Sequence, residues 1–180
     1  MKKTIYILAF VLLCSLSLEG QSFQDKIPES YGYRVKLGQT VPDFTLELPD
    51  GSQTTMRALR GKVVMLQFTA SWCSVCRKEM PHIENEIWQK HKDRADFALY
   101  GIDLKEDRET VMAFQKDTKI SYPIALDVDG DIFYTFAEEN AGVTRNVIID
   151  KEGKIAYMTR LFKQEEFDQM KATIEELLKP

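Results

Sequence analysis

Cysteine is scarce in this chain of 180 residues: the three present, Cys14, Cys73 and Cys76, are too few for a disulfide scaffold. Histidine is scarcer still, with His82 and His91 alone. Surplus positive charge is missing as well. The net charge is −4, which argues against a nucleic-acid-binding surface, because that needs clustered excess Lys and Arg. The apolar run Ile5–Leu13 is too short to span a bilayer comfortably. Internal repeats and low-complexity tracts are absent. What remains, 44% hydrophobic and 29% charged residues, suits one soluble globular domain with its own core.

The first twenty residues differ in kind from the rest. Lys2 and Lys3 form a short basic region, the apolar run follows, and Ser15, Ser17 and Gly20 supply small or polar residues. That order is a secretory signal peptide, so residues 1–20 are expected to be removed near Gly20–Gln21 and the mature protein to be periplasmic. A buried N-terminal helix is the plainer alternative. Cys14 offers a second one, lipid anchoring and membrane association, although Leu13 stands where a lipoprotein signal has a small residue. Without Cys14, two cysteines remain, three residues apart. Residues 21–33 are polar, with a Pro and a Gly, lack a clear period and read as a linker or loosely docked arm, and the whole N-terminal arm or linker is bounded at 21–39. Residues 40–180 form the folded domain.

Within that domain Phe44–Leu48 alternates as a strand does, Pro49-Asp50-Gly51-Ser52 signals a turn, and Gln53–Met56 returns. Val63–Phe68 is a buried-strand run. Cys76, Met80, Ile83 and Ile87 recur at helical spacing. Phe97–Ile102 is the next strand, Glu106–Lys116 a helix with Val111 and Phe114 on one face, Ser121–Leu126 a short strand and Ile132–Ala137 a short helix. Val147–Ile149 and Ile155–Met158 flank the turn Asp150-Lys151-Glu152-Gly153. Phe167, Met170, Ile174 and Leu177 mark a C-terminal helix. The order is hairpin, strand, helix, strand, helix, strand, small helix, hairpin, helix. It implies an α/β fold with a mixed central sheet flanked by helices.

The chemistry centres on Trp72-Cys73-Ser74-Val75-Cys76. A strand ends just before it and a helix follows, so Cys73 sits at a helix N-terminus. Unpaired backbone N–H groups and the helix dipole there favour an anion, and a thiolate is that anion. Cys76, one turn on, can resolve a mixed disulfide and leave a Cys73–Cys76 bond. Two plainer readings compete. Half of a zinc site lacks its remaining ligands, and a structural disulfide closing so small a loop is a weak staple.

The stretch GKVVMLQFTASWCSVCRKEMP resembles thioredoxin-like proteins of the TlpA/ResA type, exported thiol–disulfide oxidoreductases of the redoxin superfamily. VPDFTLELPDGS is similar to their N-terminal β-hairpin and VTRNVIIDKEGKI to their late strand pair. The likeness covers roughly residues 40–178. It implies the thioredoxin fold, disulfide exchange in protein thiols, a membrane-bound electron donor by analogy, and neither a cofactor nor a metal. A monomer is expected.

Three further groups follow from the motif and the resemblance. Glu79, three residues after Cys76, stands where family members carry a glutamate and can accept the resolving thiol's proton; a solvated helix charge is the plain reading. Gln67 occupies the strand position where thioredoxins carry a buried Asp, and an amide cannot take a proton. Trp72 is expected to shield the cysteines and offer an apolar contact surface for substrate, or to be an ordinary core aromatic. The third group is a departure. Thr144 stands where the fold usually has a cis-proline opposite the cysteines, which bears on substrate docking, and Arg145 adds a positive charge beside it. Either a strained cis bond or a trans bond with a shifted loop follows.

Asp127, Asp129, Asp131 and Glu138 nearly follow calcium-loop spacing, but Gly130 is at the fourth position where the sixth is needed; a turn and helix cap is the ordinary reading. His82 and His91 are expected at the surface. Other functions remain open: a peroxiredoxin-like thiol peroxidase, though Ala70 stands where its threonine belongs, and a copper carrier, since Cu(I) suits soft thiolates.

Overall fold

A computed structural model of the chain describes residues 27–180. The signal-peptide reading and Cys14 lie outside the described residues. Each of the expected elements forms, in the expected order. The N-terminal hairpin is β1 (Thr45–Glu47) and β2 (Gln53–Thr55). It is followed by β3 (Val63–Thr69), α1 (Ser74–Ile83), β4 (Phe97–Leu104), α2 (Arg108–Thr118) and β5 (Ile124–Asp127). The chain ends with α3 (Asp131–Phe136), the pair β6 (Arg145–Ile149) and β7 (Ile155–Arg160), and α4 (Gln164–Leu177). The seven strands make one sheet in the order β2-β1-β5-β4-β3-β6-β7. The neighbours of β4 run parallel to it, and β6 runs antiparallel to both β3 and β7.

The interior strand β3, between β4 and β6, is buried at every position, so it packs on both faces. Because successive side chains point to opposite sides, Val64, Leu66 and Phe68 meet one layer while Val63 and Met65 meet the other. The first layer contains Leu46 of the hairpin, Met56 just after it, and Phe133 and Phe136 of α3. The second contains Met80 and Ile83 of α1, Val111 and Phe114 of α2, and Phe167, Met170 and Ile174 of α4. The helical spacings read from the sequence are therefore the faces that these helices bury.

Local chemistry sets the helix ends. Asp107 caps α2 by accepting from Thr110 N–H at 2.8 Å. Asp127 accepts from Ile132 N–H (3.0 Å) and Phe133 N–H (2.8 Å) at the start of α3, so the aspartate-rich stretch acts as a turn and helix cap. Gly130 has φ +82°, the left-handed conformation which that turn requires. Pro81 lies inside α1, where it removes an N–H. Just after it the helix widens into a π turn over Glu84–Trp88, then closes with Gln89–His91.

Two expectations are corrected. The arm is docked, not loose, over residues 27–39: Val35 is buried, Arg34 N–H bonds Phe136 O (2.9 Å), and the Tyr33 hydroxyl donates to Thr159 O at 2.6 Å. These bonds satisfy backbone groups at the ends of α3 and β7, which is why the segment settles there. His91 is buried against Phe97, with Nε2 3.1 Å from Glu175. Burial pushes its pKa below the usual histidine value, against the pull of Glu175.

Candidate active site

The C-terminal end of β3 delivers the chain into the cysteine loop. Cys73 caps α1, with its Sγ accepting the N–H of Cys76 at 3.2 Å. The two sulfurs are joined in a disulfide with Cα atoms 5.3 Å apart. Cys73 retains 7% exposure and Cys76 none. Only the first can meet a macromolecule directly. The chemistry available is the exchange of this bond for another, with Cys73 as the accessible sulfur and Cys76 as the enclosed one.

The loop before the pair is clamped. Glu106, just beyond β4, accepts both the N–H and the hydroxyl of Ser71, each at 2.6 Å. On the other side Arg77 Nε donates to Ser71 O at 2.7 Å, while its guanidinium pairs with Asp117 and lies over the Phe114 ring. Between these ties Trp72 stands 65% exposed. It is not a core aromatic. The exposed indole belongs to the residue directly before Cys73, the less buried of the two cysteines.

Glu79 is not a solvated charge either. It is 1% exposed, on the face of α1 that rests on the sheet. There it meets a polar row running across three strands. Gln67, Asn146 and Thr159 are paired in register, and all are buried. Asn146 Nδ2 donates to Glu79 Oε1 at 2.7 Å and to Thr159 Oγ1 at 2.9 Å. The Gln67 amide lies close enough to favour the ionised carboxyl, although Gln67 Nε2 and Glu79 Oε2 do not form a well-aligned hydrogen bond. Gln67 Oε1 is taken by the Tyr122 hydroxyl at 2.6 Å. Burial raises Glu79 to about 7, with Asn146 and Gln67 pulling the other way. A carboxyl at that value is shared between acid and base near neutral pH.

Thr144 and Arg145 part company. Thr144 comes to the sulfurs: its Oγ1 lies 3.1 Å from Cys73 Sγ and 3.3 Å from Cys76 Sγ. No peptide bond among the described residues is cis. Arg145 turns away. It is fully buried, donates to the carbonyls of Gly142 and Tyr31, and stacks on the rings of Tyr33 and Phe133. The expectation that it binds substrate is corrected, because a guanidinium enclosed by the arm and α3 cannot reach a docking partner. Among the described residues no group of His, Cys, Asp and Glu could hold a metal ion.

Three residues of this region were not legible in the sequence: Asn146, Glu106 and Asp103. Asp103 is the least expected. It sits at the end of β4, directly beside Thr69, with neither carboxyl oxygen in a well-formed hydrogen bond. Burial, followed by the nearby carboxyls of Glu106 and Asp127, raises its pKa to about 8.

The Redoxin family model matches residues 36–178. The thiol-disulfide oxidoreductase ResA of Bacillus thuringiensis subsp. konkukian is 29% identical over 146 residues, 81% of this chain and 79% of that protein. The solution structure of a candidate protein disulfide isomerase from Bacteroides thetaiotaomicron is 59% identical with a TM-score of 0.81, over 83% of this chain and 94% of that one. A candidate thiol:disulfide interchange protein DsbE from Chlorobium tepidum is 25% identical, TM-score 0.69, over 81% of this chain and 99% of that one.

The Asp103 carboxyl gives this region a pH signature. Folded, it stays neutral up to about pH 8; unfolded, it ionises near about 3.9. The unfolded chain thus holds fewer protons across that window, and stability falls as pH rises from about 4 to about 8. Asp103→Asn should flatten this slope. Relative to the parent it gains roughly 2–5 kcal/mol between pH 4 and pH 8 in urea unfolding. An unchanged difference across the two pH values would mean that Asp103 ionises normally in the fold.

Proposed function

The chain belongs to the Redoxin family and is a thiol–disulfide oxidoreductase, and from that premise we propose that it works outside the cytoplasm, reducing disulfides in protein substrates through Cys73 and Cys76. The observation that carries this reading is the asymmetry of the pair. One sulfur is accessible at a helix N-terminus beside an exposed indole, and the other is sealed beneath it.

The reaction runs in two exchanges. The Cys73 thiolate attacks a substrate disulfide, a mixed disulfide forms, and one substrate thiolate leaves. Cys76 then loses its proton and attacks Cys73 Sγ. The Cys73–Cys76 bond forms, the mixed disulfide breaks, and the second substrate sulfur leaves as a thiolate that is then protonated; the two substrate sulfurs together have taken the pair's two electrons. A dithiol donor, which we place at the membrane, restores the reduced pair. Trp72 and the rim around Cys73 receive the substrate chain. Glu79, one turn from Cys76 and seated on Asn146, takes the proton of the resolving thiol.

Alkylation tests the assignment. In the reduced protein Cys73 should be modified first by iodoacetamide near neutral pH. Cys73→Ser should abolish insulin reduction, and Cys76→Ser should accumulate stable mixed disulfides. Faster modification of Cys76 reverses the roles.

The Glu79 role predicts a pH profile. As a base it must be ionised, so resolution of a preformed mixed disulfide should speed up through about pH 7 and level off above it. Glu79→Gln removes the acceptor and keeps the shape. Resolution at neutral pH should slow about 10²-fold, with the rise displaced to higher pH and Cys73 alkylation less affected. Matching profiles in parent and variant would leave Glu79 without a part in proton transfer.

Export rests on Lys2, Lys3 and the apolar run Ile5–Leu13. Mass spectrometry of protein from the native host should find an N-terminus near Gln21. Retention of Met1 would refute export by cleavage, and a diacylglycerol on Cys14 would replace a free periplasmic protein by an anchored one.

A further inference from the structure

The hydroxyl of Thr144 reaches both sulfurs at once, 3.1 Å from Cys73 Sγ and 3.3 Å from Cys76 Sγ. With the sulfurs bonded to each other neither carries a proton, so in both contacts the hydroxyl is the donor. Thr144 is 3% exposed and cannot drift from this position. Its carbonyl is held by Leu161 N–H at 3.1 Å and by the Arg160 guanidinium at 3.3 Å. Val143 on one side and Arg145 on the other are buried. The other donor to Cys73 Sγ is the Cys76 backbone N–H, which points at that sulfur alone.

We propose that Thr144 is a catalytic hydrogen-bond donor whose single hydroxyl proton serves the two sulfurs in turn, resting on whichever one carries negative charge. This rests on the reading of Cys73 and Cys76 as the redox pair. In the reduced protein the charge is on Cys73, and the hydroxyl donates to that thiolate. During resolution the deprotonated Cys76 sulfur is the nucleophile; the new Cys73–Cys76 bond forms as the bond from Cys73 to substrate breaks. When a donor thiolate attacks Cys73 Sγ to regenerate the pair, the Cys73–Cys76 bond breaks and its electrons stay on Cys76. In each state the charged sulfur is one that Thr144 Oγ1 already reaches. Redirecting the proton needs only rotation about Cβ–Oγ1, with no movement of heavy atoms.

The direction of the effect follows. A hydrogen bond to a thiolate is charge-assisted and stronger than one to a bonded, neutral sulfur. The hydroxyl therefore stabilises the reduced, ionised pair more than the disulfide. It holds the Cys73 pKa down and shifts the redox equilibrium toward the dithiol form. A proline at this position has neither hydroxyl nor N–H and supplies no such donor.

The test compares Thr144→Val, which keeps the shape and deletes the hydroxyl, with Thr144→Ser, which keeps the hydroxyl. Two quantities are read: the pH dependence of Cys73 alkylation, and the position of equilibrium in dithiothreitol redox buffers. Glu79, which faces the sheet from the same helix as Cys76, titrates in this range, so each variant is also made with Glu79→Gln. Thr144→Val should raise the apparent Cys73 pKa by about one unit and move the equilibrium about tenfold toward the disulfide. Thr144→Ser should stay near the parent in both. Unchanged values in Thr144→Val, or equal shifts in Val and Ser, would overturn the proposal while leaving the redox pair intact. A parent protein whose cysteines fail to cycle in the same buffers would instead overturn the functional reading beneath it.

Discussion

The antiparallel pairing of β6 with β3 fixes the geometry of the site. It sets Asn146 opposite Gln67 and Arg145 opposite Phe68. Strand alternation then sends Thr144 and Asn146 to the face under α1 and Arg145 to the face under the arm and α3. The helix matches this with its own period. Cys76 and Glu79 are three residues apart on one side of α1, and each finds its partner on the strand below, Thr144 for the sulfur and Asn146 for the carboxyl. A slip of one residue in β6 would exchange the faces, exposing the sulfurs to a guanidinium and burying the threonine in apolar packing. The wide antiparallel contact of β6 with both β3 and β7 makes such a slip expensive.

Enclosing carboxyls beside a redox pair has a physical cost, since burial penalises charge and an incompletely bonded acid loses hydration without full replacement. The protein carries two such groups on opposite sides of the cysteine loop. Glu79 is moderated by two amides and sits at about 7; Asp103, with no comparable donor and other carboxyls nearby, sits at about 8. The difference between them follows from which neighbours the sheet supplies, amides across β3 and β6 in one case and acids at the end of β4 in the other. Buried groups held neutral into the physiological range are found where protons must move, and a fold that keeps them gives up some stability in doing so.

Much of this was legible in the sequence. The apolar periods of Val63–Phe68, of Met80, Ile83 and Ile87, and of Phe167, Met170 and Ile174 named the elements and their inner faces, because one period is enough to define a face. The cysteine spacing after a strand singled out the pair that the structure joins in a disulfide. What escaped were side chains whose meaning comes from a distant partner. Asn146 lies in an apolar strand run, and only the pairing with β3 sets it under Glu79. Glu106 resembles any polar residue at a helix start until it is seen gripping Ser71, 35 residues away. Arg145 was misread for a related reason: a charge beside a site residue looks available, but on a strand the neighbour points the opposite way. The arm looked loose because its sequence has no period, and its order comes from bonds to Phe136 and Thr159 that no local pattern announces.

The grip on Ser71 has a consequence for how partners meet. A loop bonded at its N–H, hydroxyl and carbonyl has already lost its freedom when the chain folds, so an arriving polypeptide has little left to order around Trp72 and Cys73. The conformational cost of an encounter then falls on whatever meets the loop and not on the loop itself. Rigidity of this kind leaves the strength of any meeting to the contacts themselves, with little subtracted for putting the loop in order.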